Sequence, residues 1–116
     1  MSNSNHTPAV PSFARGNLYA NAAAPATGER FEALHSQDGL LIERIVSSPR
    51  IAHETYCQAH AEWVLLAQGQ ATLDIAGDRI TLHSGDYVYL PAHLPHTVTE
   101  VSDGAIWLAI HIGITP

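Results

Sequence analysis

From Leu40 to Ile112 the chain runs as short apolar segments: Leu40–Val46, Ile51–Cys57, Glu62–Ala67, Ala71–Ala76, Arg79–His83, Tyr87–Leu90, His96–Val101 and Ala105–Ile112. They are rich in Val, Ile, Leu, Thr and Tyr and begin about 8 to 12 residues apart, the spacing of an antiparallel sandwich or barrel. Side chains on a strand alternate between faces, so Glu62, Val64 and Leu66 share one face of their segment. Ala76-Gly77-Asp78 reads as a tight hairpin, since glycine takes positive φ without a steric penalty. Pro91 and Pro95 bracket a rigid loop, because proline has no N–H to give a central strand. No long period repeats, which excludes a propeller or solenoid.

Before Leu40 the pattern is weaker. Residues 1–16 are rich in Ser, Asn and Pro, and such a segment buries too little apolar surface to order itself, so a disordered tail is expected there. Residues 17–116 then form a single domain. Leu18 and Tyr19 are expected to clip onto the body of the protein or onto a partner subunit. Thr27 is placed to cap a short helix, but Arg30 stands three residues on, so no capping box forms. Glu29–His35 suits a short helix and an edge strand equally. The expectation is an all-β domain preceded by a short helix or an extended arm.

Only 14% of the residues are charged, against roughly 25% in an average domain. A monomer would have few charges to cover its surface, which points to a homodimer. The formal net charge is −6 and there is no basic run, which argues against a nucleic-acid partner. No apolar run approaches the ~20 residues of a membrane span, and the start lacks the basic and apolar regions of a signal peptide. One cysteine, Cys57, forms no internal disulfide, so the cytoplasm is the simplest compartment. Cys57 reads as a small apolar packing residue.

Eight histidines are the compositional excess. His6 lies in the tail; His53, His60, His93, His96 and His111 fall at strand ends or in loops. If Glu62 points inward, Val64, Leu66, Leu73 and Ile75 surround it. A carboxylate among apolar side chains needs a cation, a metal or a raised pKa. His60 shares its parity, and the loop between Pro91 and Pro95 can aim His96 into the barrel mouth. One glutamate with two or more histidines can hold Zn, Mn, Fe or Ni. The structural alternatives are a surface Glu62, a His96 bonded to a backbone carbonyl, an exposed His60, a His93 that serves its turn, and a solvated His83.

These segments resemble the cupin superfamily of small jelly-roll barrels. Its second motif, G-x5-P-x-G-x2-H-x3-N, fits Gly85, Pro91 and His96, with His93 where the motif has its second glycine and Glu100 at the asparagine. Its first motif, G-x5-H-x-H-x3-4-E-x6-G, keeps Glu62 and Gly69. The H-x-H half falls on Thr55-Tyr56-Cys57-Gln58, so two of the family's four metal ligands have no direct equivalent. Asn17-Leu18-Tyr19, Ile42–Ser48, Tyr56–Leu66 and Trp107–His111 further resemble a subgroup of small single-domain bacterial cupins, over residues 17–114. The resemblance implies a cupin jelly-roll barrel or sandwich with a divalent metal ion and a small-molecule ligand in its mouth. It implies Glu62 and His96 as ligands, with His60, His53 or Gln58 completing the set and Tyr56, Val64 and His111 lining the ligand pocket. The alternative is a metal-free binding or structural module in which Glu62 and His96 pair with each other or with Tyr56. No catalytic residue or substrate is implied.

Overall fold

A computed structural model describes residues 10–115. The expected tail therefore falls partly outside the described residues: residues 1–9, with His6, lie beyond them, and residues 10–16 carry no regular structure. Nine strands follow and, among the described residues, no helix. They are β1 (Glu29–Gln37), β2 (Leu40–Ser47), β3 (Thr55–Tyr56), β4 (Ala61–Gln68), β5 (Gln70–Ile75), β6 (Asp78–His83), β7 (Tyr87–Leu90), β8 (His96–Val101) and β9 (Ala105–Ile112). Two antiparallel sheets, ordered β1-β2-β9-β4-β7 and β3-β8-β5-β6, make the all-β jelly roll.

Two expectations change. The helix before β1 is absent: Ser48 N–H donates to Gly28 O and Gly28 N–H donates to Arg50 O, so this backbone is paired with another segment instead of with itself. Glu29–His35 is strand, as part of β1. Ile51–Cys57 shrinks to the two residues of β3, which pair only with His96 and Thr97. Residues 51–54 carry the chain from one sheet to the other and have no neighbour to complete a ladder.

Local chemistry explains the turns. The β5–β6 hairpin closes through Ala76 (φ 49°) and Gly77 (φ 92°), both left-handed as a two-residue I′ loop requires. Asp74 Oδ1 accepts the Gly77 N–H at 3.0 Å. His93 stands where the motif has a glycine and still takes φ 66°. Its N–H donates to Gln58 O at 2.7 Å, which ties the loop before β8 to the segment after β3. Gly69 is required by φ and by space together, since a Cβ there would meet Ser102 Oγ at 2.7 Å and Ala105 Cβ at 2.9 Å.

The core lies between the sheets. Val64, Leu66, Ala71, Leu73, Leu82, Leu90, Val101, Ala105 and Trp107 are buried together. On β4 burial alternates residue by residue, with Glu62, Val64 and Leu66 inside. Trp107 Nε1–H donates to Ser47 Oγ at 3.1 Å, and Ser47 Oγ–H donates to Glu29 Oε2 at 2.6 Å. Among the described residues no helix is long and apolar enough to cross a membrane.

Candidate functional site

A cavity of about 190 Å³ opens between the sheets above this core. Glu62, Gln58, His96, Tyr56, Val64 and His111 all line it. His60 lies just outside and reaches the wall through His111. His53 is exposed and lines no part of the cavity.

Strand register explains the gathering. Glu62 on β4 sits beside His111 on β9 and Leu90 on β7, and Tyr56 on β3 sits beside His96 on β8. The two sheets thus each present acid–base groups to one space. The Tyr56 and His96 rings stack with centroids 5.9 Å apart. His96 is 8% exposed. Its Nδ1 lies 3.0 Å from Leu94 O; a carbonyl only accepts, so Nδ1 carries a hydrogen and Nε2 faces Glu62. That Nε2 is 3.8 Å from Glu62 Oε1.

Glu62 is 8% exposed, and the nearest imidazole nitrogens, of His96 and His111, stand at 3.8 and 3.9 Å, beyond hydrogen-bond reach. Burial raises the Glu62 pKa; His111 and His96 oppose the rise, and Glu43 adds to it. His111 Nε2–H donates to Glu43 Oε1 at 2.8 Å. The other ring nitrogen, His111 Nδ1, shares a hydrogen bond with His60 Nε2, also at 2.8 Å. Burial, followed by His111, lowers the pKa of His60. The Tyr56 phenol is pushed up by burial and then by Glu54.

Three pocket residues that carry polar side-chain atoms lie outside the sequence-derived set: Glu29, Glu43 and Trp107. Glu43 shares its strand face with Ile45, which packs on the core, and that period of two was the available signal. Glu29 is reached only through its pairing with Ser47. His83 is exposed, as are the carboxylates of Asp74, Asp78 and Asp86. Cys57 is exposed as well, so it does not pack as an apolar residue; its Sγ faces His93 O at 3.5 Å.

The donor set fits a metal ion in part. The 3.8 Å between Glu62 Oε1 and His96 Nε2 is spanned by two metal–ligand bonds of about 2.1 Å. Gln58 Oε1 is buried and has no hydrogen-bond partner, which leaves a third oxygen donor unspent. Among the described residues no group of three or more His, Cys, Asp or Glu side chains is placed to hold an ion.

A cavity at the mouth of a small jelly roll, lined from both sheets by a glutamate and histidines, defines a barrel of the cupin class. Residues 47–111 match the Cupin domain family, and the chain belongs to it. A structure from Ralstonia eutropha JMP134, provisionally named a mannose-6-phosphate isomerase, is 34% identical with TM-score 0.78 over 87% of this chain and 99% of that one. An RmlC-like cupin from Shewanella frigidimarina is 16% identical, with TM-score 0.70 over 79% of this chain and 82% of that one. The cobalt(II) form of HppE, with its substrate, is 14% identical, with TM-score 0.64 over 73% and 52% of the two chains. No curated protein matches the sequence.

Proposed function

We propose that the barrel mouth binds a divalent metal ion, of the zinc, manganese, iron or nickel class, together with a small polar ligand. Glu62 and His96 hold the ion and Gln58 adds its amide oxygen. The observation that carries this reading is the Glu62 carboxylate, buried and without a hydrogen-bond donor, facing the free Nε2 of His96 at 3.8 Å. A carboxylate so placed is costly unless a cation joins it. His60 and His111 serve a different purpose: their ring nitrogens are engaged with each other and with Glu43, which fixes the wall beside Glu62. When bound, the ion supplies Lewis-acid polarisation of a ligand oxygen. Tyr56, stacked on His96 and partly exposed, stands where it can donate to a ligand entering the mouth.

The lining also restricts the ligand. The chain has five cationic side chains, all arginine, and none lines the cavity, whereas Glu29, Glu43 and Glu62 do. A phosphorylated sugar, the substrate class in the name of the Ralstonia relative, would meet three carboxyl groups and no cationic side chain. An uncharged polyhydroxy or carbonyl compound suits the walls.

A second reading, a metal-free binding module, is favoured by one fact: no three-residue ligand cluster exists among the described residues. Metal analysis of protein purified without chelators, with a thermal shift on adding Mn or Zn, separates the two. About one equivalent bound supports the first reading; less than about a tenth, with no stabilisation by any divalent ion, supports the second.

A further inference from the structure

The cavity is polar in one half and apolar in the other, and the period of its strands divides it. On three strands an inward polar group is followed two residues on, on the same face, by an aliphatic one: Glu43 by Ile45, Glu62 by Val64 and His96 by Val98. Register extends the apolar half. Leu73 lies beside Val98, Trp107 beside Ile45, and Phe31 beside Ile45 on its other side. All of these side chains line the cavity. Two residues of strand span about 7 Å, so the wall changes character over roughly the width of one six-membered ring.

Hydrogen-bonding capacity is divided in the same way. Glu43 already accepts from His111, Glu29 accepts from Ser47, and the Trp107 N–H is spent on Ser47. Among the described residues Gln58 Oε1 is the buried acceptor left without a partner, two residues from the Tyr56 ring that stacks on His96. A ligand hydroxyl in the apolar half would be buried unpaired, at a cost, whereas a hydrocarbon ring there meets side-chain carbon from both sheets. Size and charge narrow the class further. The cavity holds about 190 Å³; an apolar cavity of ~150 Å³ accepts benzene, so one ring and a few polar atoms fit. No arginine lines the space and three glutamates do, which opposes an anionic ligand.

We propose that the ligand is an uncharged compound built on one six-membered ring, with its hydroxyl or carbonyl oxygens on a single edge. The oxygens face Glu62, His96 and Gln58. The ring lies between Val98 and Leu73 of one sheet and Val64, Ile45 and Trp107 of the other, with Phe31 at the open side. This assignment rests on the metal reading of the Glu62–His96 end and deepens it. Of the uncharged classes that suit the walls it excludes polyhydroxy compounds, whose hydroxyls point all round the ring.

Three probes share one ring: cyclohexane-1,2-diol has its oxygens on one edge, inositol has one on every carbon, and cyclohexanecarboxylate is anionic. Thermal-shift titrations of the full chain with each probe from about 0.1 to 50 mM, zinc-loaded and with chelator, rank them. The diol should bind at least about 10-fold more tightly than either of the others. Val98→Thr puts a hydroxyl into the apolar half and should weaken the diol about 5-fold without weakening inositol. If that variant fails to fold, Phe31→Ser decides, because Phe31 is 56% exposed and carries little of the core; it should weaken the diol at least about 3-fold. Inositol or the carboxylate binding as tightly as the diol, no diol binding by ~50 mM, or a diol indifferent to both substitutions overturns the proposal. Zinc uptake without a preference for the diol defeats this proposal alone; diol binding by protein that takes up no zinc defeats the metal reading alone.

Discussion

Replacing Glu62 by glutamine keeps the shape of the side chain and removes its charge. Burial raises this carboxyl above its ordinary 4.5, with Glu43 adding to the rise and the two histidines opposing it. A group whose folded pKa lies above its unfolded one contributes stability that is complete below the unfolded value and lost as pH rises through the folded value. In metal-free protein at pH ~8 the ionised carboxylate therefore destabilises, by about 1.4 kcal/mol for each unit of the shift. Glu62→Gln removes this term and offers an amide N–H to His96 Nε2, so the metal-free variant should match or exceed wild type. Its stability should also change less than that of wild type between pH ~5 and ~8. With a divalent ion at ~100 times its Kd the order reverses: wild type gains about 2.7 kcal/mol by mass action. At about 4 °C per kcal/mol for a domain of this size, that is a Tm rise of about 10 °C, most of which the variant should lose. Urea titrations and thermal melts across pH, with chelator and with Mn or Zn, measure both effects. The reasoning fails if metal-free Glu62→Gln is less stable than wild type by more than about 1 kcal/mol at pH ~8, for then the carboxylate is a satisfied structural charge. It also fails if the variant keeps the full metal-dependent rise.

His96→Ala should abolish the metal-dependent Tm rise and cost about 1 kcal/mol of metal-free stability, while His83→Ala, whose side chain is 66% exposed, should alter neither. His60 has a folded pKa below its ordinary 6.5, so its contribution is present above that value and lost as pH falls through the lowered one. Acid melts should accordingly show His60→Gln losing less stability than wild type below pH ~6.5, and equal slopes would exclude a half-buried His60 that folding keeps neutral. Gly69→Ala combines a φ of +110° with a Cβ less than 3.0 Å from both Ser102 Oγ and Ala105 Cβ, and chemical denaturation should register a loss of about 2–3 kcal/mol.

The inward set of β4 was legible because a strand has period two and the segment has no irregularity before Leu66, so Glu62, Val64 and Leu66 followed from one choice of face. The left-handed loop before β8 was half legible: the motif called for glycine, and His93 takes φ 66° in its place. Pairings across long separations left no local trace. His60 and His111 are 51 residues apart, and Glu43 and His111 are 68 apart; only the register of β2, β9 and β4 brings them together. The length of β3 was equally hidden, because a strand exists only as far as a neighbour pairs with it. On β1 the register shifts between Ala33 and His35, so a parity count carried through Glu29–Gln37 assigns one end to the wrong face.

Two oddities of composition acquire separate causes in β4 and β9. Charge is scarce because these strands are apolar on both faces: adjacent residues serve opposite sides, Glu62 the cavity and Trp63 the outer surface, His111 the cavity and Ile110 the outer surface. Polar residues appear on them mainly where the cavity interrupts the core. Two of the eight histidines, His96 and His111, line the cavity, where imidazoles can accept and donate beside carboxyl groups that burial makes costly to ionise.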